Sequence, residues 1–237
     1  MKRFWGRATT EAGPRGHTIL LDGKPMRIPG GPELLVEAAP LAHAIAAEWD
    51  IAGGGHKGGE MTMDDVPLTR LTGTAQDRIA LDPAPVVNAL AKYAETDVLC
   101  YRAAQPLPLM HRQALEWQPW LDWLDRTHGA RLQPTEGITL LAQDDKALST
   151  VREVLQAQPT AMLAGLGIAI PALGSVVLGL ALADGALDAE AAHALAHLDE
   201  LFQEEQWGQD VLATTRRAGV IKDIALAARF MALVRQV

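Results

Sequence analysis

The stretch TAMLAGLGIAIPALGSVVLGLALADG, residues 160–185, decides which kind of fold this chain adopts. No charged residue occurs between positions 154 and 183, and an uncharged run of that length meets the length criterion for a transmembrane helix. However, Pro171 lies at its centre, glycines interrupt it, and neither flank carries the lysine or arginine cluster that orients a membrane span. The sequence therefore favours two buried core helices, with insertion of this segment by a peripheral membrane protein as an alternative.

The helical segments of the chain occupy the part from residue 81 onward. In the quoted stretch we predict the end of one helix over residues 160–167, an extended link over 168–173 that contains Pro171, and a second helix over 174–184. Helical patterns also occur over residues 86–97, 110–128 with an interruption at Pro119, 144–156, 188–210 and 221–234. The sequence thus predicts an all-α helical bundle domain over residues 81–237.

Residues 1–80 show a different pattern. The segment HTILLDGKPMRIP, residues 17–29, predicts two short antiparallel strands at 18–21 and 25–28, joined by the turn Asp22-Gly23. In LAHAIAAEWD, residues 41–50, apolar side chains recur every four residues and predict one helix that packs on the strands. The glycine-rich segment GGGHKGG, residues 53–59, is a flexible loop by composition. We therefore predict an α+β domain over residues 1–80.

The charge distribution restricts the partners that this chain binds. The net charge is −8, and no lysine or arginine occurs between Arg152 and Arg216, an interval that contains nine carboxylates. Nucleic acid is therefore an unfavourable partner, because phosphate binding requires clustered cations. The single Cys100 cannot form an internal disulfide, and the N-terminal MKRFWGRATT has no apolar run. We expect a cytoplasmic protein, or a mitochondrial matrix protein if the chain is a processed organellar one.

Enzyme motifs are missing from the sequence. It contains no nucleophile elbow, no HExxH and no phosphate-binding Walker sequence, so we expect neither catalysis nor a cofactor. One cluster leaves an alternative open, because His193, His197, Glu200 and Glu204 share one face of the helix predicted over 188–210. Two imidazoles and a carboxylate on successive turns could hold a metal, and a metal-dependent enzyme that uses His193, His197 and Glu200 is the competing hypothesis.

The same helix offers a surface for a protein partner. A helical projection places Leu198 and Phe202 on the core side, and Glu200, Glu204 and Trp207 on the solvent side. A tryptophan among carboxylates suits a protein interface, since the ring supplies an apolar anchor and the carboxylates position a basic partner. The alternative is that Trp207 folds back against another helix.

Segments along nearly the whole chain carry a resemblance to a known family. They are KRFW at 2–5, LLDGKPMRIP at 20–29, LAHAIAAEWD at 41–50, PLTRLTGTAQD at 67–77, YAETDVLCYRA at 93–103, the region 113–119, LGSVVLGLALADG at 173–185 and LDELFQEEQWG at 198–208. As an ordered set they resemble the ATP synthase assembly chaperones that bind the alpha subunit of the catalytic head. The resemblance implies an α+β N-terminal domain followed by an all-α orthogonal helical bundle, in agreement with the patterns above.

The resemblance also implies a function without covalent chemistry. Such a chaperone binds the unassembled alpha subunit, shields its subunit interface and releases it on pairing with the beta subunit. Chaperones of this family carry a functionally important acidic residue on a late helix, and Glu200, with Asp199 as its neighbour, matches that position. The expected partner-binding set is therefore Glu200, Asp199, Glu204 and Trp207. The glycines at 53–59 and Val66 depart from the family pattern.

Overall fold

The computed structural model describes residues 1–28, 31–137 and 141–236. A small sheet region at the N-terminus precedes a series of helices, which confirms the predicted fold class. The chain divides into two compact units. The first unit comprises Met1–Pro83, Pro159–Gly165 and Arg229–Val237, and the second comprises Ala84–Gln158 and Leu166–Ala228. The domain boundary between residues 80 and 81 stays a prediction.

The sheet of the first unit is built around its second strand. The strands are β1 (Ala8–Gly13), β2 (Gly16–Leu21), β3 (Lys24–Pro25) and β4 (Leu35–Val36). Strand β2 pairs antiparallel with each of the other three. Asp22 and Gly23 have φ of 48° and 78°, the left-handed conformation that a tight hairpin turn requires. The predicted turn is confirmed, and β1 and β4 were not predicted. Pro29, the last residue of LLDGKPMRIP, lies outside the described residues.

Helix α1 (Ala39–Ile51) covers the sheet. Leu41, Ile45 and Trp49 are buried along its inner face, as the four-residue spacing predicted. The buried carboxylate of Glu48 accepts hydrogen bonds from the backbone amides of Leu68, at 2.9 Å, and Thr69, at 3.2 Å. These bonds attach α1 to the first turn of α2 (Pro67–Thr74).

The glycine-rich segment is a defined turn that holds the N-terminal residues. The Arg3 amide donates to the Gly59 carbonyl at 2.9 Å, and the Gly58 amide donates to the Arg3 carbonyl at 2.7 Å. A Cβ on Gly59 would lie 1.7 Å from the carbonyl oxygen of Gly53, so only glycine permits this approach. The composition that suggested flexibility therefore serves close backbone packing.

Helices dominate the second unit. The helices from residue 84 onward are α3 (Ala84–Ala91), α4 (Leu107–His128), α5 (Asp145–Gln156), α6 (Thr160–Leu173), α7 (Val176–Asp184), α8 (Ala189–Ala196), α9 (Leu198–Trp207) and α10 (Val211–Val234). A short parallel pair, β5 (Tyr101–Arg102) and β6 (Thr135–Glu136), accompanies them. Within the described residues, no helix combines the length and the apolar character needed to cross a membrane.

Several predicted helix boundaries were wrong. Helix α4 continues through Pro119, and α6 continues through Pro171, so residues 168–173 are helical rather than extended. A proline costs one backbone hydrogen bond, which tertiary packing of an apolar helix can outweigh. The chain breaks after α6 instead, where Gly174 has φ of 61° and the Ser175 side chain caps α7. The helix predicted over 188–210 also breaks, at His197.

A buried carboxylate joins the turn before β5 to the start of α7. Asp97 is fully buried and accepts hydrogen bonds from the Leu99 amide at 3.1 Å, the Ser175 hydroxyl at 2.9 Å and the Val177 amide at 3.1 Å. Burial raises the pKa of Asp97 to about 6, against the opposing effect of these hydrogen bonds.

Candidate partner-binding site

The carboxylates predicted to face a partner are paired with arginines of the next helix. Arg217, whose side chain is 7% exposed, donates to Glu200 Oε2 at 3.1 Å and also to Glu204. Arg216 donates to Glu200 Oε1 at 2.7 Å. Both arginines lie on α10 and are the first cations after the interval without lysine or arginine, and they pair with two of its nine carboxylates.

This pairing sets the protonation of the cluster. Burial acts to raise the pKa of Glu200, but the hydrogen bonds from Arg217 and Arg216 outweigh it and bring the pKa below its usual value of 4.5. The hydrogen bond to Glu204 raises the pKa of Arg217 further. Glu200 is therefore ionised at neutral pH, and at 38% side-chain exposure it is more accessible than Glu204, at 15%.

Asp199 points in another direction from its neighbour Glu200. Its Oδ1 accepts a hydrogen bond from the side-chain amide of Gln113 at 2.7 Å, and Gln113 is fully buried. The Gln113 Oε1 in turn accepts from the Ala103 amide at 2.8 Å, and the Arg102 guanidinium donates to the Gln113 carbonyl. Burial raises the pKa of Asp199, and the Gln113 bond opposes that effect. Asp199 thus anchors α9 to α4 and to the segment before it.

Gln113 and Arg102 were not identified as members of this cluster from the sequence. Gln113 meets Asp199 across 86 positions of the chain, a separation that no local spacing can indicate. One signal was available: a glutamine four residues before the buried Trp117 occupies the core-facing stripe of α4. A polar residue on such a stripe requires a partner.

An apolar corner follows the acidic cluster. Trp207, Val211 and Leu212 are 79%, 76% and 81% exposed, and we call these three residues the α9–α10 corner. Gly208 ends α9 with φ of 90°, and the Asp210 carboxylate caps α10 by accepting from the Leu212 amide at 2.8 Å. Trp207 does not fold back onto another helix, whereas Leu198 and Phe202 are buried as predicted.

The two histidines form a stacked pair. The ring centroids of His193 and His197 are 4.3 Å apart, with an interplanar angle of 29°. Burial and the neighbouring His197 lower the pKa of His193. The Glu200 oxygens are occupied by two arginines, and within the described ranges no group of three or more histidine, cysteine or acidic side chains is arranged to hold a metal. This geometry does not favour the metal-dependent enzyme hypothesis.

Similarity to known proteins extends over the whole chain. A family model described as ATP12 chaperone protein matches residues 2–125. The mitochondrial protein atp12 of Schizosaccharomyces pombe is 25% identical over an alignment of 218 residues, and the match covers 87% of this chain and 74% of the yeast protein.

Solved structures agree with this match. Atp12 from Paracoccus denitrificans is 35% identical and superposes with a TM-score of 0.90, and the match covers 99% of this chain and 98% of that chain. A point mutant of the P. denitrificans protein, 34% identical, superposes with a TM-score of 0.91 over the same shares of the two chains. This chain therefore belongs to the ATP12 family of ATP synthase assembly chaperones.

Proposed function

We propose that this chaperone binds the unassembled alpha subunit of the ATP synthase catalytic head through α9 and the α9–α10 corner. In this proposal it shields the face that the alpha subunit presents to the beta subunit and releases it when the two pair, in the cytoplasm or the mitochondrial matrix. The observation that carries the proposal is the 79% exposure of Trp207 at the end of α9, followed at the start of α10 by two further exposed apolar side chains. Exposed apolar patches are typical of interaction surfaces.

The residues of the site have different roles in this proposal. Trp207 is the anchor, because a large ring gains the most from burial at an interface. Glu200 contacts a basic side chain of the partner, which can replace the 63%-exposed Arg216 without leaving the carboxylate unpaired. Glu204 and Asp199 position α9 through Arg217 and Gln113.

Release follows from the same composition. An interface with a few apolar anchors and a charged rim binds with moderate affinity. The beta subunit can therefore displace the chaperone by covering the same face of the alpha subunit. Release requires no covalent bond to be made or broken. The surface of an unassembled subunit would otherwise be free to aggregate.

The test is capture of the purified alpha subunit by variants of the corner. Trp207→Ala should weaken binding by at least about tenfold, as expected for an anchor residue. Glu200→Lys should weaken it as well, through repulsion of the basic partner group. The matched control is Leu115→Ala, since Leu115 is 78% exposed on α4 of the same unit. Binding that survives both variants, with the fold intact by circular dichroism, would remove this surface from the proposal.

A further inference from the structure

A second candidate surface lies entirely within the first unit. An open cavity of about 750 Å³ is bordered by β3, by α2 and by the N-terminal segment. The apolar part of its wall includes three methionines, Met1, Met26 and Met63, together with Phe4 and Trp49. Methionine side chains adapt to irregular apolar partners and are common on surfaces that bind peptides. We call this cavity the β3–α2 groove.

Phe4 is an exposed aromatic held at the edge of the groove by a rigid frame. It is 69% exposed, yet its ring contacts the fully buried Trp5 edge-on, with centroids 5.1 Å apart. The Trp5 indole donates to the Trp49 carbonyl at 3.0 Å, and the glycine-rich turn holds Arg3 on the other side. A fixed and exposed ring loses little conformational entropy on binding, which is the property of a binding anchor.

The charge around the groove is opposite in sign to that of the chain. Four cations line it, and two of them are paired: Arg27 with Glu33 at 3.6 Å, and Arg70 with Asp64. The other two, Lys24 and Arg78, form no ion pair with any residue that the structure describes. Asp77 is the acidic residue of the lining. In a chain of net charge −8, this groove therefore favours an acidic partner.

We propose that the β3–α2 groove binds an extended segment of the client in which apolar side chains are flanked by Asp or Glu. The apolar side chains contact Phe4 and the methionines, and the carboxylates pair with Lys24 and Arg78. This inference rests on the proposed function, because the client is the alpha subunit. It adds a second contact whose charge preference is the reverse of that at Glu200.

The test uses overlapping synthetic peptides that cover the alpha-subunit sequence, with binding to the full chaperone measured by fluorescence polarisation. Peptides that combine apolar and acidic residues should bind, and Phe4→Ala should weaken them by at least about tenfold. The double variant Lys24→Glu/Arg78→Glu should weaken the same peptides, and added salt should reduce wild-type binding. Ile51→Ala is the matched control, since Ile51 is 72% exposed in the same unit and does not line the groove.

The outcomes separate this inference from the proposed function. One outcome is that intact alpha subunit binds and Trp207→Ala weakens this binding, while binding of no peptide depends on Phe4, Lys24 or Arg78. The groove proposal is then wrong and the proposed function stands. If acidic–apolar peptides bind through Phe4 but intact alpha subunit does not bind, the groove stands and the proposed client is wrong. Peptide binding that depends equally on Ile51 would contradict the proposal that the groove binds the client. Binding of basic peptides alone would contradict it as well.

Discussion

Two buried arginines fix the chain segments that carry two exposed aromatic side chains, and we call their hydrogen bonds the frame around Phe4, or first frame, and the frame around Trp207, or second frame. Arg3 in the first unit is 2% exposed and donates to four backbone carbonyls, those of Trp5, Gly6, Asp50 and Ala52. Arg217 in the second unit donates to the carboxylates of Glu200 and Glu204. Phe4 follows the first arginine, and Trp207 lies at the end of the helix that the second one holds.

The difference shows two ways to fix a segment that exposes an aromatic side chain. Carbonyl oxygens do not titrate, so the four Arg3 hydrogen bonds of the frame around Phe4 do not depend on pH over the range in which proteins remain folded. Carboxylates lose their charge in acid, so the frame around Trp207 weakens as the pH falls. The hydrogen bonds of the first frame therefore persist as the pH falls, whereas the ion pairs of the second frame do not.

The largest effect is expected from removing the first frame. Arg3→Ala leaves four carbonyl groups near the core without their donor, and it should lower the free energy of unfolding by about 3 kcal/mol or more. Urea unfolding followed by tryptophan fluorescence measures this loss. Lys2→Ala, at an exposed neighbouring position, should stay within about 0.5 kcal/mol. A loss equal to that control would show that the carbonyl network does not hold the segment.

A smaller and pH-dependent effect is expected in the second frame. The native pKa of Glu200 lies below its usual value of 4.5, so its stabilising contribution is complete above that pH and is lost as the pH falls through the native pKa. Arg217→Ala should therefore cost about 2 kcal/mol near neutral pH, and the difference from wild type should shrink in acid.

Unfolding titrations of the wild type, Arg217→Ala and Arg3→Ala over the acid range check this contrast. The Arg3→Ala deficit should stay constant with pH while the Arg217→Ala deficit declines. A constant Arg217→Ala deficit would contradict the assignment of the second frame to titrating ion pairs. Contributions of other groups, such as Asp97, are common to all three proteins and cancel in the differences.

The smallest effect on stability is expected at the anchors themselves. Phe4→Ala and Trp207→Ala remove side chains that are 69% and 79% exposed, so each should change the free energy of unfolding by about 0.5 kcal/mol or less. Thermal unfolding of the two variants measures this directly. A loss as large as that of a buried aromatic would identify the ring as a structural residue and not as an anchor.

Local patterns predicted the elements whose signal lies within a few residues. The Asp22-Gly23 turn and the buried face of α1 are of this kind, and the structure confirms both. The first requires only a turn conformation and the second only a four-residue spacing.

The site depends on contacts that no local pattern contains. Arg216 and Arg217 follow Glu200 by 16 and 17 positions, and a break at Gly208 brings them back onto α9. The helical projection over 188–210 assumed one continuous helix. Because the helix breaks at His197, the projection does not give the correct relative directions of side chains before and after that residue. It nevertheless placed Trp207 in solvent, because residues 198–207 do form one helix.

The Asp97 network has a consequence for the order in which the chain is made. Its donors at Ser175 and Val177 are 78 and 80 positions from the carboxylate. During synthesis from the N-terminus, Asp97 therefore leaves the ribosome long before its partners exist and remains hydrated and charged until they emerge. Closure of so long a loop must precede the contacts that stabilise it, which makes such contacts slow to form. The second unit can complete its core only after residue 177 has emerged. Burial of Asp97 is therefore a late step in the folding of this assembly chaperone.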